Sequence, residues 1–261
     1  MQAAKIKVAF VELPEGLMPG TDAWEQFAQR VGAARPDVLV MNELPFGAWI
    51  AASPQYDDAV AAESVRVHEQ GLDALRALEV PLVLGSRPIH DGDHLANEGF
   101  AIVEGEYRRV HDKQYLPAEP GFHEATWFAP RERGFEPLRV GALCVGMFLC
   151  TDLMFNEWAR HYRRCAVNLI VVPRATEAAH RRWLTAGAMA AIVSGCYVVS
   201  SNRTGRGADG TRFGGKGFAF APDGELIAET TADEPLATVD IDIDRVLRQQ
   251  REYPCYVPEL D

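Results

Sequence analysis

The sequence predicts an α/β protein. Apolar runs of strand length alternate with longer segments of helical period along most of the chain, and the last third becomes rich in strands. The 261 residues are enough to bury one large core, and no repeat, low-complexity tract or linker divides them. We therefore expect a single domain over residues 1–261, and the alternation taken alone predicts a doubly wound sheet.

Each element follows from its own pattern. KIKVAFVEL is predicted as a strand, and TDAWEQFAQRVGAARP as a helix because Trp24, Phe27 and Val31 recur at spacings of three and four. GFAFAP and ELIAET, joined by Asp223 and Gly224, are typical of a hairpin. Between these lie strand DVLVMNELPF, a helix around residues 61–78, strands PLVLGSRP, EGFAIVEG and VGALCVGMFLC, helix FNEWARHYRRCA, strand NLIVVPRA, helix RRWLTAGAMAAIVS and strand YVVSSN.

Composition and charge restrict the partners. Hydrophobic residues make up 48% and charged residues 24%, so a globular fold is expected. A net charge of −11 disfavours binding to nucleic acid or to an anionic membrane surface, because both need clustered Lys and Arg. The start lacks a basic region followed by a long apolar segment, and no segment is apolar enough to span a membrane. We expect a cytoplasmic protein that acts on a small molecule.

Patterns for disulfides, metals and nucleotides are present only in part. The five cysteines are odd in number, widely spaced and without a CxxC, so reduced thiols are expected. HDGDH, residues 90–94, is more simply an inter-strand turn than a metal site. GADGTRFGGKG, residues 207–217, nearly matches a P-loop, but Gly217 stands where Ser or Thr is needed and a strand follows in place of a helix. The sequence predicts neither a metal nor a cofactor.

Chemically active residue types occur at strand ends and in one loop. Glu43, in NELPF, ends a strand at the edge where α/β sheets bind ligands, although a solvated loop acid is the simpler interpretation. Residues 108–128 contain two prolines, so they cannot form one helix, and they place Lys113, Glu119 and Glu124 among bulky apolar groups. Cys150 ends an apolar run in GMFLCTDLMFNEWAR and is either core packing or a nucleophile.

Residues around these segments have two interpretations each. His111 and His123 lie in the charged loop, so a Cys/His catalytic pair competes with one based on carboxylates. Arg174, just after a strand, is either a bidentate contact to a substrate carboxylate or a surface or dimer contact. Phe122 and Trp127 either narrow a pocket or belong to the core.

Taken together, NELPF, HDKQYLP with FHEATWF, and GMFLCTDLMFNEWAR resemble the nitrilase superfamily of carbon-nitrogen hydrolases, in particular its amidase and N-carbamoyl amidohydrolase-like branches. The resemblance continues through NLIVVPRAT, YVVSSNRTG and FAPDGELIA. It implies a Glu–Lys–Cys triad of Glu43, Lys113 and Cys150, with Glu124 as a second carboxylate and Glu119 as the alternative. It also implies a four-layer αββα sandwich of the nitrilase type and pairing into homodimers or larger assemblies.

This set of groups predicts cofactor-free thiol hydrolysis of a small amide. Lys113 favours the Cys150 thiolate, or Glu43 takes the thiol proton during attack. Lys113 and the backbone N–H of Thr151 would stabilise the oxyanion, and a Cys150 thioester would then be hydrolysed. Asp152 is interpreted as structural, bonding the turn after Cys150 or capping the next helix. The alternatives are an N-carbamoyl compound or a nitrile as substrate, or a catalytically idle binding or assembly module.

Overall fold

The computed structural model describes residues 5–131 and 134–258. Its helices are α1 Asp22–Ala34, α2 Asp58–Arg76, α3 Glu124–Trp127, α4 Glu157–Arg164, α5 His180–Ser194 and α6 Ile243–Gln249, with 3₁₀ turns at Ile50–Ala52 and Cys150–Met154. Its strands are β1 Ile6–Pro14, β2 Val38–Val40, β3 Leu82–Asp91, β4 His94–Val103, β5 Glu106–Asp112, β6 Leu138–Val140, β7 Leu143–Met147, β8 Leu169–Arg174, β9 Tyr197–Arg206, β10 Arg212–Gly214, β11 Phe218–Phe220, β12 Leu226–Glu229 and β13 Leu236–Ile241.

The strands form two sheets that share an edge. The first sheet has the order β5-β4-β3-β2-β1, with β13 antiparallel to the early part of β1. The second has the order β9-β8-β7-β6, with β10 and the β11–β12 hairpin added to β9. The two are joined where the last residues of β1, Glu12–Pro14, pair in parallel with β9. β1 therefore leaves one sheet and enters the other along its own length.

Three apolar clusters define the layers. Val8 and Phe10 of β1 face the second sheet, whereas Ala9 and Val11 face α1 and α2, as expected for a strand with side chains on alternate faces. A third cluster packs α4 and α5 on the outer face of the second sheet. The order is thus helices, sheet, sheet, helices, and the αββα sandwich implied by the resemblance is confirmed.

The doubly wound sheet predicted from the alternation is wrong. In a doubly wound sheet, helices cover both faces of every strand. In two stacked sheets, each strand has helices on one face and the other sheet on the second face. Every strand is therefore buried on two sides in either arrangement. Both arrangements therefore produce the same near-continuous apolar strands. The local pattern does not show whether the second face meets a helix or another sheet.

The local predictions agree with the structure at most elements. The first predicted helix is α1. Thr21 is its N-cap, since the Thr21 hydroxyl accepts a hydrogen bond from the Trp24 N–H. The helix expected around residues 61–78 is α2, and the Asp223–Gly224 turn joins β11 and β12 as an antiparallel hairpin. HDGDH forms the turn between β3 and β4, and no group of potential metal ligands occurs among the described residues. None of the described helices has the length and apolar character needed to cross a membrane.

Candidate active site

The carboxyl ends of strands from both sheets meet at one edge, where they place the predicted catalytic side chains together. Glu43 follows β2, Lys113 follows β5 and Cys150 follows β7. Lys113 Nζ donates to Glu43 Oε1 at 2.8 Å and to Glu124 Oε2 at 2.5 Å. All four residues are buried. The four residues predicted to be catalytic therefore come together.

The second carboxylate at this site is Glu124. The residue begins α3, and its side chain reaches Lys113. Glu119 lies on the exposed part of the same loop and lines the outer part of the pocket. The spacing of eleven residues from the lysine therefore selected the carboxylate that contacts Lys113.

Asn97 fixes the orientation of Glu43. Its Nδ2 donates to Glu43 Oε1 at 2.8 Å, so this oxygen accepts from both Asn97 and Lys113. Asn97 also accepts, through its backbone carbonyl, a hydrogen bond of 3.0 Å from the Lys113 N–H. Glu43 Oε2 has no partner among the described residues. One carboxylate oxygen of Glu43 is thus held in place by two donors.

Sequence reasoning missed Asn97. The only signal was its position: a polar residue within β4, a strand that is buried over nine of its ten residues. A buried polar side chain requires a hydrogen-bond partner, so Asn97 pointed to a polar site inside the sandwich.

Cys150 occupies a strained turn between β7 and a 3₁₀ helix. Its φ is 51°, in the left-handed region that residues other than glycine rarely adopt. The residue is 3% exposed and lines the floor of a pocket. Such a turn presents a side chain at a strand end instead of packing it along the strand, as Cys144 is packed in β7.

Asp152 ties this turn to the chain that follows Lys113. Its carboxylate accepts backbone hydrogen bonds of 3.1, 3.2 and 3.1 Å from the N–H groups of Leu149, Gln114 and Tyr115. The structural role predicted for Asp152 agrees with these bonds, but they reach Leu149, before Cys150, and the segment after Lys113 instead of the turn after Cys150. The alternative, a cap on the next helix, is wrong, since α4 begins only at Glu157.

The two histidines in the charged loop are not placed to act as a base for Cys150. His111 Nε2 pairs with Asp152 at 2.9 Å, and His111 Nδ1 lies 3.1 Å from the Gly134 carbonyl oxygen. His123 precedes α3, and its backbone N–H bonds to the Ala51 carbonyl. Neither imidazole lines the pocket over Cys150 within the described residues. The geometry therefore favours the carboxylates over a Cys/His pair.

The pocket above Cys150 has a cavity volume of about 50 Å³ and continues into open solvent. Glu124, Cys150 and Thr151 form its polar floor, and Phe122 and Trp183 contribute apolar walls. Trp183, on α5, was not among the predicted site residues, because its helical spacing is equally typical of core packing. Two of the predicted binding residues, Thr151 and Phe122, do line this pocket.

The other two predicted binding residues, Arg174 and Trp127, do not line this pocket. Arg174 is 1% exposed, and its guanidinium donates to Ser200 Oγ at 2.6 Å, Thr176 Oγ1 at 3.3 Å and the Lys216 carbonyl at 2.9 Å. Burial lowers its pKa to about 10. With its donors used inside the fold, the structure supports neither a substrate carboxylate contact nor a surface position. Trp127 donates from Nε1 to the Ser53 carbonyl at 2.8 Å and packs in the core outside the pocket.

The pKa values of Lys113, Glu124 and Cys150 depend on one another and on Glu43. Burial alone would lower the pKa of Lys113, but Glu124 and Glu43 together raise it well above its usual value. Burial and the nearby Glu43 carboxylate raise the pKa of Glu124 to about 8, although Lys113 opposes the shift. Burial, followed by Glu43, also raises the pKa of the Cys150 thiol, and Lys113 offsets this only in part. In the free site, the raised pKa values of Lys113 and Cys150 thus favour the ammonium and the neutral thiol.

An αββα sandwich with a buried cysteine, lysine and two glutamates at its strand ends defines a candidate thiol hydrolase. The model of the carbon-nitrogen hydrolase family matches residues 1–251. The chain belongs to this family, and it is a hydrolase acting on carbon–nitrogen bonds other than peptide bonds.

Known relatives agree with this assignment. The chain is 31% identical to a hydrolase in the agr operon of Staphylococcus lugdunensis over 192 residues, which cover 70% of this chain and 79% of that protein. It is 27% identical to an (R)-stereoselective amidase of a Pseudomonas species, over 70% of this chain and 65% of the amidase. The crystal structure of a carbon-nitrogen hydrolase from Helicobacter pylori G27 superimposes with a TM-score of 0.86 at 20% identity, covering 98% and 96% of the two chains.

Proposed function

We propose that this protein hydrolyses the C–N bond of a small linear amide through a thioester on Cys150, releasing ammonia or an amine and a carboxylic acid. The observation that carries the proposal is the arrangement over one thiol. Lys113 holds one oxygen of each glutamate, and Glu43 Oε2 and Glu124 Oε1 are left without partners among the described residues. The two glutamates and the lysine supply a base, an orienting acceptor and an oxyanion donor in one buried cluster, of which Glu124 also lines the pocket over Cys150.

The first step is attack by sulfur on the amide carbonyl. Since the pKa of the Cys150 thiol is raised, the route through a standing thiolate is disfavoured, and Glu43 takes the thiol proton as the C–S bond forms. The π electrons of the carbonyl move to oxygen. Lys113 and the Thr151 N–H stabilise that oxyanion, and such donors contribute on the order of 2.7–4 kcal/mol each.

The second half of the reaction reuses the same carboxyl group. The oxyanion collapses, the C–N bond breaks, and protonated Glu43 delivers its proton to the departing nitrogen. Glu43 then removes a proton from water, which attacks the thioester. The C–S bond breaks, and Glu43 returns the proton to the departing sulfur, which frees the carboxylic acid and the Cys150 thiol. Glu124 keeps Lys113 in place and accepts from the substrate amide N–H through its free oxygen. No cofactor or metal is needed for any of these steps.

An N-carbamoyl amine or amino acid is the second candidate substrate class, because its carbonyl–nitrogen bond is open to the same attack; a nitrile is the third. A relative that is an amidase supports the first class. An idle binding or assembly module is the alternative of a different kind. Because the Cys150 thiol is neutral, slow alkylation near neutral pH would not identify an idle site, so turnover has to be measured.

Two further features of the proposal concern the whole molecule. We propose that the protein pairs as a homodimer or a larger assembly through an outer helical layer, which sedimentation of the purified protein would test. Its cytoplasmic location stays a prediction from the sequence.

The decisive assay is ammonia release against a panel of short aliphatic amides, aromatic amides, N-carbamoyl amino acids and amines, and nitriles. We expect turnover of one amide class by the wild type and none by Cys150→Ala. The matched control is Cys144→Ala, which removes another buried thiol six positions earlier and should retain activity. Equal activity of the Cys150→Ala protein, or no turnover of any class by the folded wild type, would contradict the proposal.

A further inference from the structure

Two neighbouring pairs of side chains across β4 and the end of β5 face in opposite directions. Glu98 and Asp112 lie directly opposite each other in the antiparallel register. The next pair is Asn97 and Lys113, joined by the hydrogen bond from the Lys113 N–H to the Asn97 carbonyl. Because side chains alternate along a strand, one pair faces the candidate active site and the other faces away from it. The inner pair donates two hydrogen bonds to one oxygen of Glu43.

The outer pair brings two negative charges together. The side chains of Glu98 and Asp112 are 5% and 1% exposed, so water screens them little. Like charges directly opposite each other on adjacent strands are destabilising. A cation shared between the two carboxylates would offset this repulsion and join the two strands.

Arg131 is that shared cation. Its Nη2 donates to Glu98 Oε2 at 2.5 Å and to Asp112 Oδ1 at 2.8 Å, and its Nε lies 3.3 Å from Asp112 Oδ2. Arg87 pairs with Glu98 and Arg109 pairs with Asp112. Among the ion pairs between described residues, Arg131 alone joins both carboxylates. Hydrogen bonds to Asp112 and Glu98 raise its pKa in spite of burial, so the bridge stays charged.

We propose that Arg131 is a positioning residue for the candidate active site: by clamping Glu98 to Asp112 it holds Asn97 and Lys113 at the spacing that orients Glu43. This inference rests on the proposed function of Glu43 and Lys113. Arg131 does not touch the pocket over Cys150. It acts through two segments. β4 carries Glu98 on the outer side and Asn97 on the inner side, and the end of β5 carries Asp112 on the outer side, followed by Lys113 on the inner side. Both inner side chains donate hydrogen bonds to Glu43.

Loss of the bridge has a defined consequence for the site. The opposed carboxylates push the strands apart at this pair, and the ends that carry Asn97 and Lys113 move with them. Both donors converge on a single oxygen, so separation of the strands rotates the carboxyl group and displaces its free oxygen from the thiol. A misplacement of about 1 Å in a catalytic group can cost on the order of a hundredfold in rate.

The test compares two variants with the same change of charge. Arg131→Gln removes the bridge, whereas Arg109→Gln removes a cation from Asp112 and leaves the bridge in place. We expect kcat of Arg131→Gln to fall by about 10- to 100-fold with KM within about threefold, and kcat of Arg109→Gln to stay within about threefold of the wild type. Melting temperatures measured in parallel confirm that both variants are folded.

A charge suppressor separates positioning from simple loss of packing. In the double variant Arg131→Gln with Glu98→Gln, one of the opposed charges is gone, and we expect most of the lost kcat to return. Equal losses in Arg131→Gln and Arg109→Gln, or no recovery in the double variant, would overturn the inference.

A second measurement does not depend on turnover. The rate at which iodoacetamide modifies Cys150, followed by peptide mass spectrometry, reports the placement of Glu43 and Lys113 around the thiol. At fixed pH this rate should change at least about threefold in Arg131→Gln, stay unchanged in Arg109→Gln and return in the double variant. A wild type without amide turnover would contradict the proposed function, while unchanged alkylation in Arg131→Gln would contradict the positioning role.

Discussion

Replacing Lys113 by methionine tests the charge balance of the site. The ammonium is fully buried, and it is the only cation that contacts Glu43 and Glu124 among the described residues. Methionine has a similar length and no charge, so the packing is kept while both ion pairs are lost. Removing one partner of a buried ion pair costs about 3–5 kcal/mol, because it leaves an uncompensated charge. We expect the free energy of unfolding of Lys113→Met to fall by about this amount.

Protonation limits the cost. Glu124, whose pKa is raised to about 8, is mostly protonated near neutral pH, so loss of the ammonium leaves one unpaired carboxylate, that of Glu43, instead of two. The double variant Lys113→Met with Glu124→Gln should therefore be no less stable than the single variant near neutral pH. Ammonia release should fall by at least about a hundredfold in both proteins, because the oxyanion loses its cation.

Urea unfolding followed by circular dichroism measures the stability effect. Lys5→Met is the matched control, since this side chain is exposed and lies 4.0 Å from Asp240. Its free energy of unfolding should match that of the wild type. If Lys113→Met were as stable as this control, or if it kept wild-type ammonia release, the lysine would not balance the buried carboxylates and the reasoning would be refuted.

Three further substitutions have defined outcomes. Glu43→Gln keeps an oxygen that accepts from Lys113 and Asn97 but cannot take a proton, so kcat for ammonia release should fall by about 10²- to 10⁴-fold in a folded protein; wild-type kcat would exclude Glu43 as the base. The folded state binds the Glu124 proton more tightly than the unfolded state, so the wild type should lose stability as pH rises from 4.5, the ordinary pKa of this carboxyl, to about 8, its pKa in the folded protein. Glu124→Gln should not show this loss. Calorimetry at several pH values would contradict the prediction if the stability of both proteins had the same slope against pH. Asp152→Asn exchanges one accepting oxygen for a donor that faces backbone N–H groups, so urea unfolding should show a loss of about 1–3 kcal/mol, and an unchanged midpoint would contradict the bridging role.

The sequence predicted the chemistry of the site better than its surroundings. Glu43 and Cys150 each end a predicted strand, and the carboxyl ends of strands share one edge, so their meeting could be expected from order alone. Lys113 was placed in a loop over residues 108–128, and the strand that precedes it, β5, was not predicted. The choice of Glu124 over Glu119 depended on the family resemblance, because both residues are carboxylates in the same loop. The structure separates the two by distance to Lys113.

What the sequence did not predict depends on contacts between segments that are distant along the chain. Arg174 was predicted to follow a strand, as a ligand-binding residue would. In the structure it is the last residue of β8, and its donors are taken by neighbours from β9 and the loop after β10. Asn97 and Arg131 have no motif, and their roles arise from the register of β4 with β5. The four layers were missed by periodicity because a buried strand has the same pattern under a helix or under a second sheet.

The claim that Cys150 carries a covalent intermediate is tested most directly by trapping the acyl-enzyme. The wild type is mixed with an amide that it turns over, quenched in acid within one turnover, and analysed by intact-protein and peptide mass spectrometry. We expect an added mass equal to the acyl group on the peptide that contains Cys150. Hydroxylamine should remove it, as it removes a thioester, and it should be absent from Cys150→Ala. Turnover with no acyl group on Cys150 at any quench time, or with the acyl group on a different residue, would contradict it.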